Sequence, residues 1–148
     1  MSSPVDADAT AVAVVEAFRA AQNAGDVAGC LGLIHPEAVF DIGTGRFEGA
    51  ASIATLLRLL ARLHYTTTGA PPAPGEGGLL TALWTVRHDD LRRSRLGDLQ
   101  VHAEIEVGGG VVVLLRTRPT AETLDRLRAA SGSWEADAYS EDPREREP

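Results

Sequence analysis

From Gln100 to Val107 the chain alternates almost strictly, with Val101, Ala103, Ile105 and Val107 apolar and Gln100, His102, Glu104 and Glu106 polar. Successive strand side chains point to opposite faces, so this run is a strand with one face in a core and the other wet or ion-paired. Gly108-Gly109-Gly110 follows as a turn, and then Val111 to Arg118, whose unbroken apolar start fits burial on both faces. Two long antiparallel strands of this kind need a second layer over their apolar face. The rest of the chain has to supply it.

The amino-terminal half reads as that layer. Residues 1–9 read as a flexible leader, Thr10 as an N-cap, and Ala11 to Ala24 as an amphipathic helix with Val14, Val15, Phe18 and Ala21 on its apolar side. Asn23-Ala24-Gly25-Asp26 ends it, and Asp26 caps a short second helix carrying Cys30, Leu31 and Ile34, stopped by His35-Pro36. Ala38 to Ile42 reads as a short strand, Gly43-Thr44-Gly45 as a turn and Arg46-Phe47 as a second extended piece. A third helix runs from Ala50 to about His64, with Ile53, Leu56, Leu57, Leu60 and Leu63 on one stripe and Arg58 and Arg62 opposite.

Tyr65 to Thr68 is extended by propensity, Gly69 to Gly78 is a proline- and glycine-rich loop, and Leu79 to Leu91 reads as a strand joined to the alternating one by a polar connection at Arg92 to Asp98. A terminal helix is expected near Ala121 to Ala129, and residues 131–148 read as a flexible tail. The order implies one α+β domain over residues 10–130, with helices gathered on one face of a curved, mostly antiparallel sheet.

Composition narrows the chemistry. A net charge of -7 with no basic tract excludes the positive face a nucleic-acid partner requires, and disfavours an anionic membrane surface. No run is long and apolar enough to span a membrane, the amino terminus lacks the basic start and apolar centre of a secretion signal, and the lone Cys30 permits no intramolecular disulfide, so a reducing cytoplasm is the expected home. All 14 basic residues are arginine, which removes lysine bases and Schiff-base chemistry. No metal-ligand spacing and no nucleotide motif are present, so no metal and no cofactor are expected. Acid and base roles fall to Asp, Glu, His or Tyr.

The stretch Trp84 to Arg93 carries the sharpest candidates. Read as strand, it sets Arg87 and Asp89 on one face two residues apart, either as an acid and its orienting partner in an apolar pocket or as an ordinary surface pair. In the pocket reading Thr81, Leu83 and Thr85 point inward too, while Trp84, Val86 and His88 point outward, where a large indole fits a homodimer interface. Asp41 is either a turn-capping residue beside glycine or a second pocket carboxylate.

At Val14 to Asp26, His35 to Asp41 and Gly45 to Ile53 the sequence resembles the nuclear transport factor 2-like superfamily, which includes SnoaL-like cyclases, ketosteroid isomerases and limonene epoxide hydrolases. The likeness covers roughly residues 10 to 118 and implies a cone-shaped, cystatin-like fold of three amino-terminal helices on a curved sheet around a pocket. Asp41 falls at the ketosteroid isomerase base, but Phe18 stands at that family's oxyanion-binding tyrosine and Ala103 at its proton-donating acid. Thr85, Arg87, Asp89, Leu91 and Arg92 match the limonene epoxide hydrolase strand, whose aspartate protonates the epoxide oxygen. Thr117 stands at that family's second aspartate, and Phe40 and Ile42 at its tyrosine and asparagine.

These readings combine into one expectation. Arg87, Asp89 and Asp41 act on a hydrophobic, oxygenated small molecule in a pocket lined by Phe18, Phe40, Leu83, Val101, Ala103 and Leu115, with Thr117 among them and His64 and Tyr65 at its mouth. The chemistry implied is cofactor-independent epoxide opening or SnoaL-like cyclisation. The alternatives are a non-catalytic binding module with the same pocket and a ketosteroid isomerase-like isomerase.

Overall fold

A computed structural model of the protein describes residues 4–42, 45–94 and 96–130. The expected turn at Gly43-Thr44, the first residues of the expected leader and the expected tail at 131–148 lie outside the described residues. The first helix, α1 (Pro4–Asn23), starts earlier than expected, so Thr10 sits inside the helix and not at its N-cap position. Proline is favoured in a first helical turn, where its missing N–H is unneeded.

Asp26 caps α2 (Val27–Leu31) as expected, accepting from the Gly29 amide at 2.9 Å. The first strand, β1 (Ile34–Ile42), is longer than expected and runs through His35-Pro36, with β2 (Gly45–Glu48) antiparallel beside it. Next comes α3 (Ala50–Arg62), which buries Ile53, Ala54, Leu56 and Leu57 and leaves Arg58 and Arg62 exposed. The chain continues through β3 (Thr66–Thr68), the short β4 (Ala73–Pro74) and β5 (Leu80–Arg87). The expected polar connection is helical instead: α4 (Asp89–Ser94) opens with two aspartates, each paired three residues on, Asp89 with Arg92 and Asp90 with Arg93. The closing elements are β6 (Leu99–Gly108), β7 (Val111–Pro119) and α5 (Ala121–Ala130).

The 7-stranded sheet runs β2-β1-β7-β6-β5-β3, with β4 also on β5. Only β1 and β7 pair in parallel; the other pairings are antiparallel. The β6–β7 hairpin turns on Gly109 and Gly110, at φ 63° and 80°, a two-residue turn that needs left-handed backbone at both positions. The architecture is the expected α+β one, with two helices before β1 and the third after β2. The sheet is curved and open, and α1 lies against β3, β6 and β7 while α3 lies against β1 and β2.

The faces of β5 are the reverse of the expectation. Leu80, Trp84 and Val86 are buried, whereas Leu83 is 50% exposed and Arg87 is exposed. Register fixes this, because Trp84 pairs directly with Val101 of β6, whose face was legible from its alternation, and directly paired residues share a face. Trp84 is therefore core and offers nothing to a second copy.

Candidate ligand-binding site

The residues expected to act together lie on different surfaces. Arg87, on the outer face of β5, gives its Nε to Asp98 Oδ2 at 2.7 Å, and both side chains are about half exposed. Asp89 is not on the strand, so the two-residue spacing does not align it with Arg87. Its Oδ2 lies 2.8 Å from His64 Nδ1 and its Oδ1 accepts from Arg92 Nη1 at 2.6 Å. Those contacts, the His64 hydrogen bond first, hold its carboxyl below the usual range. Asp41 also points outward, accepting from Arg118 Nη2 at 2.8 Å with Arg116 Nε at 3.7 Å. The Arg118 hydrogen bond is the main cause of its lowered pKa. Among the described residues Asp41 faces charge and not an apolar wall: it is one carboxylate in a row with Arg116, Arg118 and, through Arg116, Glu104, while the turn it was expected to cap lies outside the described residues.

The expected lining residues fare differently. Phe18, Phe40, Val101, Ala103, Leu115 and Thr117 are all buried where α1 meets the inner face of the sheet. Phe18 and Phe40 meet edge to face with centroids 5.6 Å apart, a favoured aromatic geometry. Leu83 does not join them, because it points away on the outer face. Tyr65 is partly buried and stacks on His88 at 6.1 Å, and burial pushes its phenol up to about 12.

One cation was missed. Arg19, on α1, is 5% exposed. Its Nε donates to Thr67 Oγ1 at 3.2 Å, its Nη1 to Glu16 Oε1 at 2.8 Å, and its guanidinium carbon lies 4.9 Å from the centre of the Trp84 ring. Asn23 holds the same corner together by exchanging two hydrogen bonds with the Thr67 backbone. The signal was in the sequence: Arg19 follows Val15 by four residues, which sets it on the helix's buried stripe. The Trp84 indole beside it is buried, and its Nε1 has no hydrogen-bond partner among the described residues. Among those residues no cluster of His, Cys, Asp and Glu could hold a metal ion.

Two concavities flank this core. A hollow of about 10 Å³ lies between α1, α2 and α3 at Gln22, Val27, Cys30 and Leu57, and burial pushes the Cys30 thiol up to about 11. An open groove of about 520 Å³ runs over the outer face beneath α5, lined by Thr68, Thr85, Arg87, Asp98, Gln100, Glu122, Thr123 and Arg126. Its walls are mostly polar, and its arginines are already engaged: Arg87 by the Asp98 carboxylate, Arg126 by the Leu96 and Asp98 carbonyls.

A cystatin-like fold protein of unknown function from Methylobium petroleophilum PM1 superposes with a TM-score of 0.63 at 21% identity, over 77% of this chain and 78% of that one. A protein from Xanthomonas campestris pv. campestris proposed to be a polyketide cyclase gives 0.63 at 17% identity, over 79% and 95%. The protein has the NTF2-like, cystatin-like fold. A computationally designed 17-OHP binder shares that fold, with a TM-score of 0.63 at 14% identity over 77% of this chain and 93% of its own. No protein-family model and no curated protein sequence matches the chain at a significant level. Among the described residues no helix is long and apolar enough to cross a membrane.

Proposed function

We propose that this NTF2-like protein binds an apolar small molecule between α1 and the inner face of its sheet, as a binding module and not as an acid/base catalyst. The observation that carries this reading is the inventory of buried polar groups among the described residues: Arg19, Thr67, Thr117 and Thr123, with no carboxylate and no imidazole among them. Acid/base catalysis needs a group that exchanges protons near the working pH, and an arginine or a threonine does not. Phe18, Phe40, Val101, Ala103 and Leu115 form an apolar interior of the kind that lines small-molecule sites, packed closed in this structure, so a ligand there parts α1 from the sheet. The same fold in a proposed polyketide cyclase and in a 17-OHP binder supports a ring-bearing ligand. The test uses Trp134→Phe, which leaves Trp84 as the only tryptophan, titrated with steroids and aromatic polyketides. A saturable change in Trp84 emission with a concentration-dependent rise in Tm is expected. If no compound moves either signal, the reading is wrong.

A specific observation favours a second, catalytic reading at Asp89. His64 carries φ 55°, a left-handed backbone uncommon outside glycine, and its Nδ1 sits 2.8 Å from Asp89 Oδ2. With Nδ1 protonated, Asp89 orients the ring and Nε2 takes a proton from water as its oxygen bonds an epoxide carbon; the epoxide C–O bond breaks, and the imidazolium returns that proton to the alkoxide. Hydrolysis of styrene oxide that disappears in both His64→Gln and Asp89→Asn supports this reading, and hydrolysis that survives either change removes it. Self-association, if it involves the outer sheet face, centres on half-exposed Leu83 in place of Trp84. Analytical ultracentrifugation of Leu83→Glu against the parent tests that contact, and an unchanged dimer constant rejects it.

A further inference from the structure

We infer that the apolar ligand proposed above carries an anionic oxygen, a carboxylate or an acidic enol, received by Arg19 and the indole N–H of Trp84. The inference rests on the binding reading and adds the chemistry of its polar end. Three observations converge on it. Trp84 is 3% exposed and its Nε1 has no partner, although buried donors in native proteins are nearly always paired and a phenylalanine would leave nothing unpaired. Arg19, beside it, uses Nε and Nη1 on Thr67 and Glu16 and leaves Nη2 without a partner among the described residues. Its counter-ion Glu16 lies on the wet side, with 38% of its side chain exposed against 6% for Arg19. The corner therefore presents two spare donors, Trp84 Nε1 and Arg19 Nη2, while the neighbouring carboxylate, Glu16, is turned toward solvent, an arrangement that suits an anionic oxygen.

The third observation is a way in. A Cβ built on Gly69 would lie 3.4 Å from Trp84 Cδ1, the ring atom bonded to Nε1, so the N–H edge of the indole faces a residue with no side chain. Gly69 begins the segment between β3 and β4, where the chain leaves its pairing with β5 and then rejoins it at Ala73. On this inference entry requires residues 69–72, of which Gly69, Ala70 and Pro71 are exposed and Pro72 is buried, to lift from β5, a movement that breaks none of the β3–β5 or β4–β5 pairings. A ligand entering there meets Trp84 Nε1 first, with the Arg19 guanidinium stacked over the same ring.

The experiment compares three probes of one shape on the Trp134→Phe protein: 2-naphthoate, its methyl ester and 2-ethylnaphthalene. Binding is followed by calorimetry, and the Trp84 indole N–H resonance by NMR. The expected result is at least tenfold tighter binding of the carboxylate than of the hydrocarbon, with a downfield shift of the indole proton for the carboxylate alone. Arg19→Met should bring the carboxylate-to-hydrocarbon ratio close to one, and Trp84→Phe, which keeps a ring in the site, should lower it. Binding of all three probes with equal affinity overturns this inference and leaves the binding reading standing. Binding of none overturns both.

Discussion

Trp84→Ala and Leu83→Ala are neighbours in one strand, and the structure sets their costs far apart. Trp84 is 3% exposed and packs against Arg19 and Val101, and truncating a core tryptophan costs about 3–5 kcal/mol. Removing its unpaired Nε1–H returns about 1–3 kcal/mol of that, because the native state no longer strands a donor. The net cost centres on about 2 kcal/mol. Leu83 is 50% exposed, so truncation forfeits only about half of a leucine's burial, roughly 1 kcal/mol. At this domain size about 4 °C of Tm accompanies each kcal/mol, so Trp84→Ala should melt roughly 8 °C lower and Leu83→Ala within about 4 °C of the parent. Urea unfolding followed by far-UV circular dichroism gives both values without relying on the tryptophan removed. If Leu83→Ala costs as much as Trp84→Ala or more, β5 faces the other way and Arg87 returns to the interior.

Arg87→Ala should change stability by less than about 1 kcal/mol in the same assay, since its pair with Asp98 is half exposed, and a larger loss would mean the side chain is sunk in the fold. Asp41 and Asp89 both titrate below 3.8 when folded, so the stability they add is complete above that value and is lost as pH falls through their folded pKa values. Asp41→Asn and Asp89→Asn should each flatten the acid limb of a urea-midpoint profile taken from about pH 6 to about pH 2, and an unchanged limb would remove that ion pair from the fold. Cys30, raised to about 11 by burial first and by Asp26 second, should resist iodoacetamide near neutral pH in the native protein and react readily in urea; equal rates would place it at the surface.

Where one physical rule governed, the sequence could be read directly. The alternation from Gln100 to Val107 became β6 with Val101, Ala103 and Ile105 inside, and the glycine run became a hairpin because two consecutive left-handed residues are needed there. The stripe of Ile53, Leu56 and Leu57 became the buried side of α3. Boundaries failed where local and tertiary preferences compete. Residues 4–9 carry too few apolar groups to announce a helix, yet they continue one that packing nucleates further along, at Val15 and Phe18. The run after Arg87 has strand-like neighbours, but two aspartates followed three residues later by two arginines are a helix's first and last turns, and they decided that stretch.

The site was harder to read because a matching motif carries no information about which way a strand faces. Thr85, Arg87 and Asp89 align with a strand whose charged residues turn inward, while the apolar content of β5 itself sits on Leu80, Ala82, Trp84 and Val86, the opposite set. A one-residue shift exchanges the two faces entirely, so between a motif and a hydrophobic alternation the alternation has the larger energy behind it. The same reasoning identifies Arg19. A cation four residues from Val15 on the buried stripe of α1 has to find partners inside, and its partners are Thr67, Glu16 and the face of Trp84. The polar chemistry of this interior thus comes from α1 and from the residue that β5 turns inward. Arg87, Asp89 and Asp41, engaged with Asp98, His64, Arg92 and Arg118 on other surfaces, are free to be replaced without disturbing it.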